Sequence, residues 1–207
     1  MVPIRVCGVF VVRVSCILCA LLLFSFQRDA DAAGIEDIET GIVGTSGNDV
    51  IHRAQPVDVN AVLATTSDQD VTTVATGIDG LAGNDQITSS SDMTTIASST
   101  MDAPYVPLRL GGATSESSSQ GIYGGDGSDL LLNLASIVST AMSHAEIMEV
   151  IMQIDLGTTV FPTTAIATAT GIEGGAGPDY IGNSSGVNAI AIAETLVKEA
   201  RISAVEV

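Results

Sequence analysis

Gly121-Ile122-Tyr123-Gly124-Gly125-Asp126-Gly127-Ser128-Asp129-Leu130-Leu131 decides the fold, because the chain says it four times. Residues 41–51, 77–87 and 171–181 repeat it, and every copy keeps G-I-x-G-x-x-G-x-D-x-[IL]. A phrase that recurs in this way marks a repeat architecture, in which one small unit is stacked on the next. The phrase aspartates stand at 49, 85, 129 and 179, so the intervals are 36, 44 and 50 residues. A fixed core therefore carries spacers of varying length. Within each copy the alternation of a strand places Ile42, Ile78, Ile122 and Ile172 inward before the turn, and Ile51, Ile87, Leu131 and Ile181 inward after it.

Working outward, alternating small and β-branched residues precede the second and fourth copies, Thr72-Thr73-Val74-Ala75-Thr76 and Ala165-Ile166-Ala167-Thr168-Ala169-Thr170. Stretches of the same texture follow, around Thr94-Thr95-Ile96 and Val187-Asn188-Ala189-Ile190. The unit reads as strand, glycine turn, short strand, polar turn and further strand. These units predict an all-β chain, a parallel β-solenoid of β-roll or β-helix type. One segment departs from the texture: Leu134, Ile137, Val138, Ala141, Met142, Ala145, Met148 and Ile151 recur at three- and four-residue steps, which predicts a helical insertion near 134–152. Residues 104–120, with two prolines, a Gly-Gly pair and a serine run, read as a loop.

Composition agrees with a narrow interior. Aromatics are only 3% of the chain and Trp is absent, so a core must come from small and β-branched side chains. The formal net charge is −17, from 7 Lys plus Arg against 24 Asp plus Glu. That balance excludes nucleic acid, which needs clustered Lys and Arg. Residues 1–33 read as an export leader: Arg5 and Arg13 precede the apolar run 14–26, and Ala30-Asp31-Ala32-Ala33 offers a cleavage site. A retained anchor is the other reading, in which the leader is the chain's one link to a membrane. Cys7, Cys16 and Cys19 all fall in the leader, so residues 34–207 have no thiol or disulfide. That part has four basic residues against 22 acidic ones (24 less Asp29 and Asp31), a net −18. Export places it outside the cell or on its surface, and carboxylates in such excess repel one another unless cations neutralise some of them.

The repeated phrase has the chemistry to do so. Glycines in a turn let the backbone approach an ion closely and point carbonyl oxygens at it, and the aspartate adds a hard anionic oxygen. Calcium takes six to eight oxygens in irregular geometry, whereas magnesium demands a strict octahedron and zinc prefers nitrogen and sulfur. The candidate ligands are Asp49, Asp85, Asp126, Asp129 and Asp179. The turns are shaped by Gly44, Gly47, Gly80, Gly83, Gly124, Gly125, Gly127, Gly174, Gly175 and Gly177. The third copy is richest, since Asp126 and Asp129 flank Gly127 and could face one ion.

Residues 44–52, 80–88, 124–132 and 174–182 resemble the nonapeptide of RTX, or hemolysin-type, calcium-binding repeats, G-G-x-G-x-D-x-U-x with U apolar. The resemblance implies a β-roll that binds Ca2+ between successive turns, with Asp49, Asp85, Asp129 and Asp179 as the aspartate ligands. This chain departs from the pattern at Thr45 and Leu81, where the second glycine would stand, and at Pro178 before the fourth aspartate. Each copy also stands alone between long spacers, so a complete ion site requires the corners of successive coils to stack.

Two other functions fit the sequence. One is an ion-free adhesive solenoid that presents its spacers to a cell-surface or matrix ligand. The other is a β-helix that cleaves polysaccharide through paired carboxylates, with Asp126 and Asp129 as the pair. Non-enzymatic function is the expectation. His52 and His144 share no metal spacing, and the chain has no G-x-S-x-G elbow and no phosphate-binding G-x-x-x-x-G-K.

Overall fold

The computed structural model describes residues 34–66, 69–106, 113–153 and 163–203, and among them every element is a strand. No helix in these residues is long and apolar enough to cross a membrane. The leader, its cysteines and its cleavage site lie outside the described residues. The strands all fall in the compact unit Gly34–Val207. In order they are β1 (Ile35–Val43), β2 (Val50–Arg53), β3 (Val57–Thr65), β4 (Val71–Asp79), β5 (Gln86–Ser89), β6 (Met93–Val106), β7 (Ala113–Tyr123), β8 (Leu130–Asn133), β9 (Ile137–Gln153), β10 (Thr163–Glu173), β11 (Tyr180–Asn183) and β12 (Val187–Ser203).

Three consecutive strands make one coil, and the four coils stack so that equivalent strands pair in parallel. One sheet runs β1-β4-β7-β10, the second β2-β5-β8-β11 and the third β3-β6-β9-β12. The chain is a parallel β-solenoid. The register explains the uneven repeat spacing: Ile35 lies beside Val71, Gln86 beside Leu130 and Tyr180 beside Leu130, offsets of 36, 44 and 50 that equal the aspartate intervals. The path from β1 to β3 has one length in every coil. All variation falls after the third strand, in residues 66–70, 107–112 and 154–162 or in the strand ends beside them.

The alternation of the strands fills a narrow interior. Ile78, Ile122, Ile87, Leu131, Met93 and Ile137 are fully buried, and Ile42, Ile51 and Ile172 pack against them. The isoleucines before the turn, and Ile51, Ile87 and Leu131 after it, thus do what the phrase predicts, whereas Ile181 in the fourth coil is exposed. Between this cluster and a second one of Val71, Met101, Ala113 and Ala145 lies a buried layer of hydroxyls. Ser117 Oγ is 3.0 Å from Thr73 Oγ1 and 2.7 Å from Ser99 Oγ, and Thr95 Oγ1 is 2.9 Å from Ser119 Oγ. A hydroxyl is small enough for this space, and its burial is tolerated because each meets another.

Two expectations are corrected here. The helical insertion near 134–152 is a strand, β9, hydrogen-bonded to β6 on one side and β12 on the other. Its apolar residues imitate a helix because both faces carry them. Ile137, Ala141 and Ala145 point inward, while Val138 and Met142 are on the outer face. The predicted loop 104–120 contains the end of β6 and most of β7, and only residues 107–112 lie outside the described part. The serine run is strand because Ser115, Ser117 and Ser119 face the hydroxyl layer.

Candidate functional site

The glycine phrase forms the corner between the first and second strand of each coil, and stacking brings the four corners into one column. Its backbone is stitched from turn to turn. The Gly83 amide donates to the Asp126 carbonyl and the Asp126 amide to Leu81, and the same pattern links Gly127 to Ala176 and Ala176 to Gly125. Glycine is required where the turns touch: a Cβ on Gly125, at φ +98°, would lie 1.8 Å from the Leu81 carbonyl oxygen. Leu81 itself holds φ +70°, a conformation that favours glycine and that the sequence pattern replaces in this copy.

Asp49, Asp85, Asp129 and Asp179 stand one above another. The Asp49 amide donates to Asp85 Oδ1 at 2.7 Å, Asp85 to Asp129 Oδ1 at 2.7 Å and Asp129 to Asp179 Oδ1 at 3.0 Å. A second ladder runs the opposite way one residue earlier: Asn48 Oδ1 accepts the Asn84 amide, and Asn84 Oδ1 the Ser128 amide. Pro178 is next in that series. It follows Ser128, which has no side-chain carbonyl, and it has no N–H to satisfy. The x-D of the phrase is thus a bracket between coils, a role that spacing alone did not reveal.

The second carboxylate oxygens are the unusual atoms. Asp85 and Asp129 are 2% and 3% exposed, and neither Oδ2 has a hydrogen-bond partner. In the first coil the matching oxygen is satisfied, since the Thr45 amide donates to Asp49 Oδ2 at 2.5 Å and the Thr45 hydroxyl also reaches the carboxylate. In the second coil the Leu81 amide donates to Asp79 Oδ1 instead. Burial pushes the Asp85 carboxyl above the usual aspartate range, opposed by the Asp49 amide and reinforced by the charges of Asp129 and Asp49. The corner's flank is acidic as well: burial raises the Tyr123 hydroxyl, and Glu173, Asp126 and Asp79 add to it.

The sequence-nominated residues divide. The four phrase aspartates share the column, with Asp85 and Asp129 buried and Asp49 and Asp179 half-buried at its ends. Asp126 is exposed while Asp129 is buried, so the two are not brought to one face of the turn. Asp37, which the repeated phrase does not include, has a structural partner. It lies at an inward-facing position of β1, and its Oδ2 accepts the Val62 amide at 2.9 Å. Among the described residues, no three His, Cys, Asp or Glu side chains gather as a metal-holding group.

As a test of fit to calcium, each buried corner offers one unspent carboxylate oxygen. The Leu81, Gly125, Asp126 and Ala176 carbonyls already accept inter-coil bonds. The column suits a cation in charge and in its orphaned oxygens, but these are few against the six to eight oxygens of a calcium shell. No family model, curated protein or solved structure matches this chain.

Proposed function

We propose that the chain is a structural or adhesive β-solenoid of the cell exterior, not an enzyme, in which Ca2+ associates with the aspartate corner and stabilises the stack. The observation that carries this reading is the pair of buried, unpartnered oxygens, Asp85 Oδ2 and Asp129 Oδ2, in a column of four carboxylates. Successive coils are about 4.8 Å apart, so these like charges repel at close range in surroundings that screen them poorly. A divalent cation relieves that repulsion. Asp85 and Asp129 would supply its carboxylate oxygens, with the glycines of the corner allowing close approach. A ligand bound only by the folded chain stabilises it by mass action, by about 2.7 kcal/mol at a hundredfold excess over its dissociation constant.

Calorimetric titration of the chain with calcium, paired with thermal melts in calcium and in chelator, tests this. Binding with a higher Tm, both reduced in Asp85→Asn and Asp129→Asn, is the expected result. Identical melts with no heat of binding would sink it.

A second reading, the ion-free adhesive solenoid, is favoured by a different observation: every corner Oδ1 between coils, and the Leu81, Gly125, Asp126 and Ala176 carbonyls, are already used in inter-coil hydrogen bonds. In that case the aspartates are brackets alone and calcium leaves the melt unchanged. Polysaccharide cleavage has no such support, because its proposed pair, Asp126 and Asp129, is divided between an exposed and a buried position.

A further inference from the structure

The two ends of the solenoid are chemically unlike, and the register shows it position by position. At three inward-facing positions the second coil has Thr73, Ala75 and Ser89, all fully buried. Their partners in the first coil are Asp37, Glu39 and Arg53. In the fourth coil the same columns end in Ala167, Ala169 and Asn183. Charges thus point into the end of the stack at β1 and β2 and are absent from its end at β10 and β11. Three side chains of the first coil also bond within it: Asp37 takes the Val62 amide, Arg53 Nη2 donates to the Pro56 carbonyl although its Nε is buried without a partner, and Thr45 Oγ1 donates to Asp49 Oδ1, the oxygen that in later coils receives the preceding aspartate's amide.

The fourth coil shares one such bond, from Asn183 Nδ2 to the Ser185 carbonyl, but it leaves apolar residues uncovered. Ile181 is 46% exposed although its register partners Leu131 and Ile87 are fully buried, and Val187 is 40% exposed above a buried Ile137. Among the described residues Asp179 is the last of the column. Three parallel sheet edges end together at this face. Inward charge is a known device against edge-to-edge pairing, and an apolar edge without it invites pairing.

We infer that the end face formed by β10, β11 and β12 is a docking surface for a further parallel coil carrying the same glycine–aspartate phrase, and that the inward charges of the first coil prevent the chain from supplying that coil to its own copies. The occupant follows from continuity. The three interfaces between coils are built alike, by an aspartate Oδ1 over the preceding aspartate amide and an apolar residue over Ile or Leu, and the fourth face repeats the lower half of that interface. An unaltered second copy stacked in register would set Asp37 on Ala167 and Glu39 on Ala169. Two carboxylates and the Arg53 guanidinium would be desolvated there against side chains that carry no charge.

The test converts the first coil into an acceptable partner. In the triple variant Asp37→Thr, Glu39→Ala and Arg53→Ser, the first coil takes the residues of the second. Sedimentation is measured on the chain expressed in full and on Gly34–Val207, the unit that contains all the described strands. The unaltered unit is expected to be monomeric. The triple variant is expected to form head-to-tail oligomers, its average mass rising at least twofold with concentration, and Ile181→Glu in the fourth coil should return it to monomer. If the triple variant does not fold, Glu39→Ala with Arg53→Ser keeps the Asp37–Val62 bond and one inward charge, and is expected to form the same Ile181-dependent oligomers at higher concentration. A folded variant that stays monomeric overturns the proposal. So do oligomers indifferent to Ile181→Glu, or an unaltered chain that already pairs through this face.

Discussion

Asp85 is held between two other carboxylates: its Oδ1 accepts the Asp49 amide, and its own amide donates to Asp129 Oδ1. Burial and those neighbours raise its carboxyl above the ordinary value, which has a definite sign for stability. A raised folded value means that the folded chain holds the proton more tightly than the unfolded one. The contribution of Asp85 is therefore fully present below the unfolded value of about 3.9, and it is lost as pH rises through the raised folded value. In metal-free solution Asp85→Asn keeps the acceptor for Asp49 and removes the charge. The variant is expected to gain Tm relative to the parent as pH rises from about 3 to about 7, and a difference constant across that range contradicts the account. The identity of this residue as a candidate was legible, because G-x-D recurs. Its double bond to neighbouring coils was not, since nothing in a single copy says which amide lies above or below it.

At the scale of elements, the hydroxyl layer tests whether β7 is strand for the reason given. Ser117 Oγ accepts the Ser99 amide at 2.9 Å and donates to the Met142 carbonyl at 2.6 Å. Ser117→Ala removes both partners at once inside the core. It should cost about 1–3 kcal/mol, a fall in Tm of about 2–4 °C per kcal/mol for a domain of this size. Ser118, on the opposite face of the same strand, should tolerate alanine within about 0.5 kcal/mol. Equal effects at the two positions would mean that the layer contributes nothing. This layer is also why the sequence misled at β7 and β9. A run of serines reads as loop when its partners are unseen, and apolar residues on both faces of a strand read as a helix. In each case the deciding neighbour is a strand 44 or 50 residues away.

For the molecule as a whole, one corner absorbs all the length variation, and this makes a prediction about editing the chain. Shortening 154–162 by six residues would bring the last interval to the 44 of the one before it, and should change stability by less than about 1 kcal/mol, because the described strands keep their register and closing a longer connection costs little more than closing a shorter one. One residue inserted between β8 and β9, at Ser136, should be far more damaging, because it moves β9 out of step with its neighbours and turns its inward face outward. Chemical denaturation of both variants separates the cases. A costly shortening together with a harmless insertion would mean that the corners have been assigned the wrong way round.

The sequence by itself determined the repeating unit, the inward isoleucines, the glycine corner and its aspartates, since each is written within eleven consecutive residues and repeated four times. Only the tertiary structure decided that Asp85 and Asp129 bracket successive coils with one oxygen and bury the other, that the serine run is core, and that one end of the stack has inward charges while the other leaves Ile181 and Val187 uncovered. Those properties belong to pairs of residues 36 to 50 positions apart. Their physical cause is the stacking of whole coils, which sets what each side chain faces and which no local pattern contains.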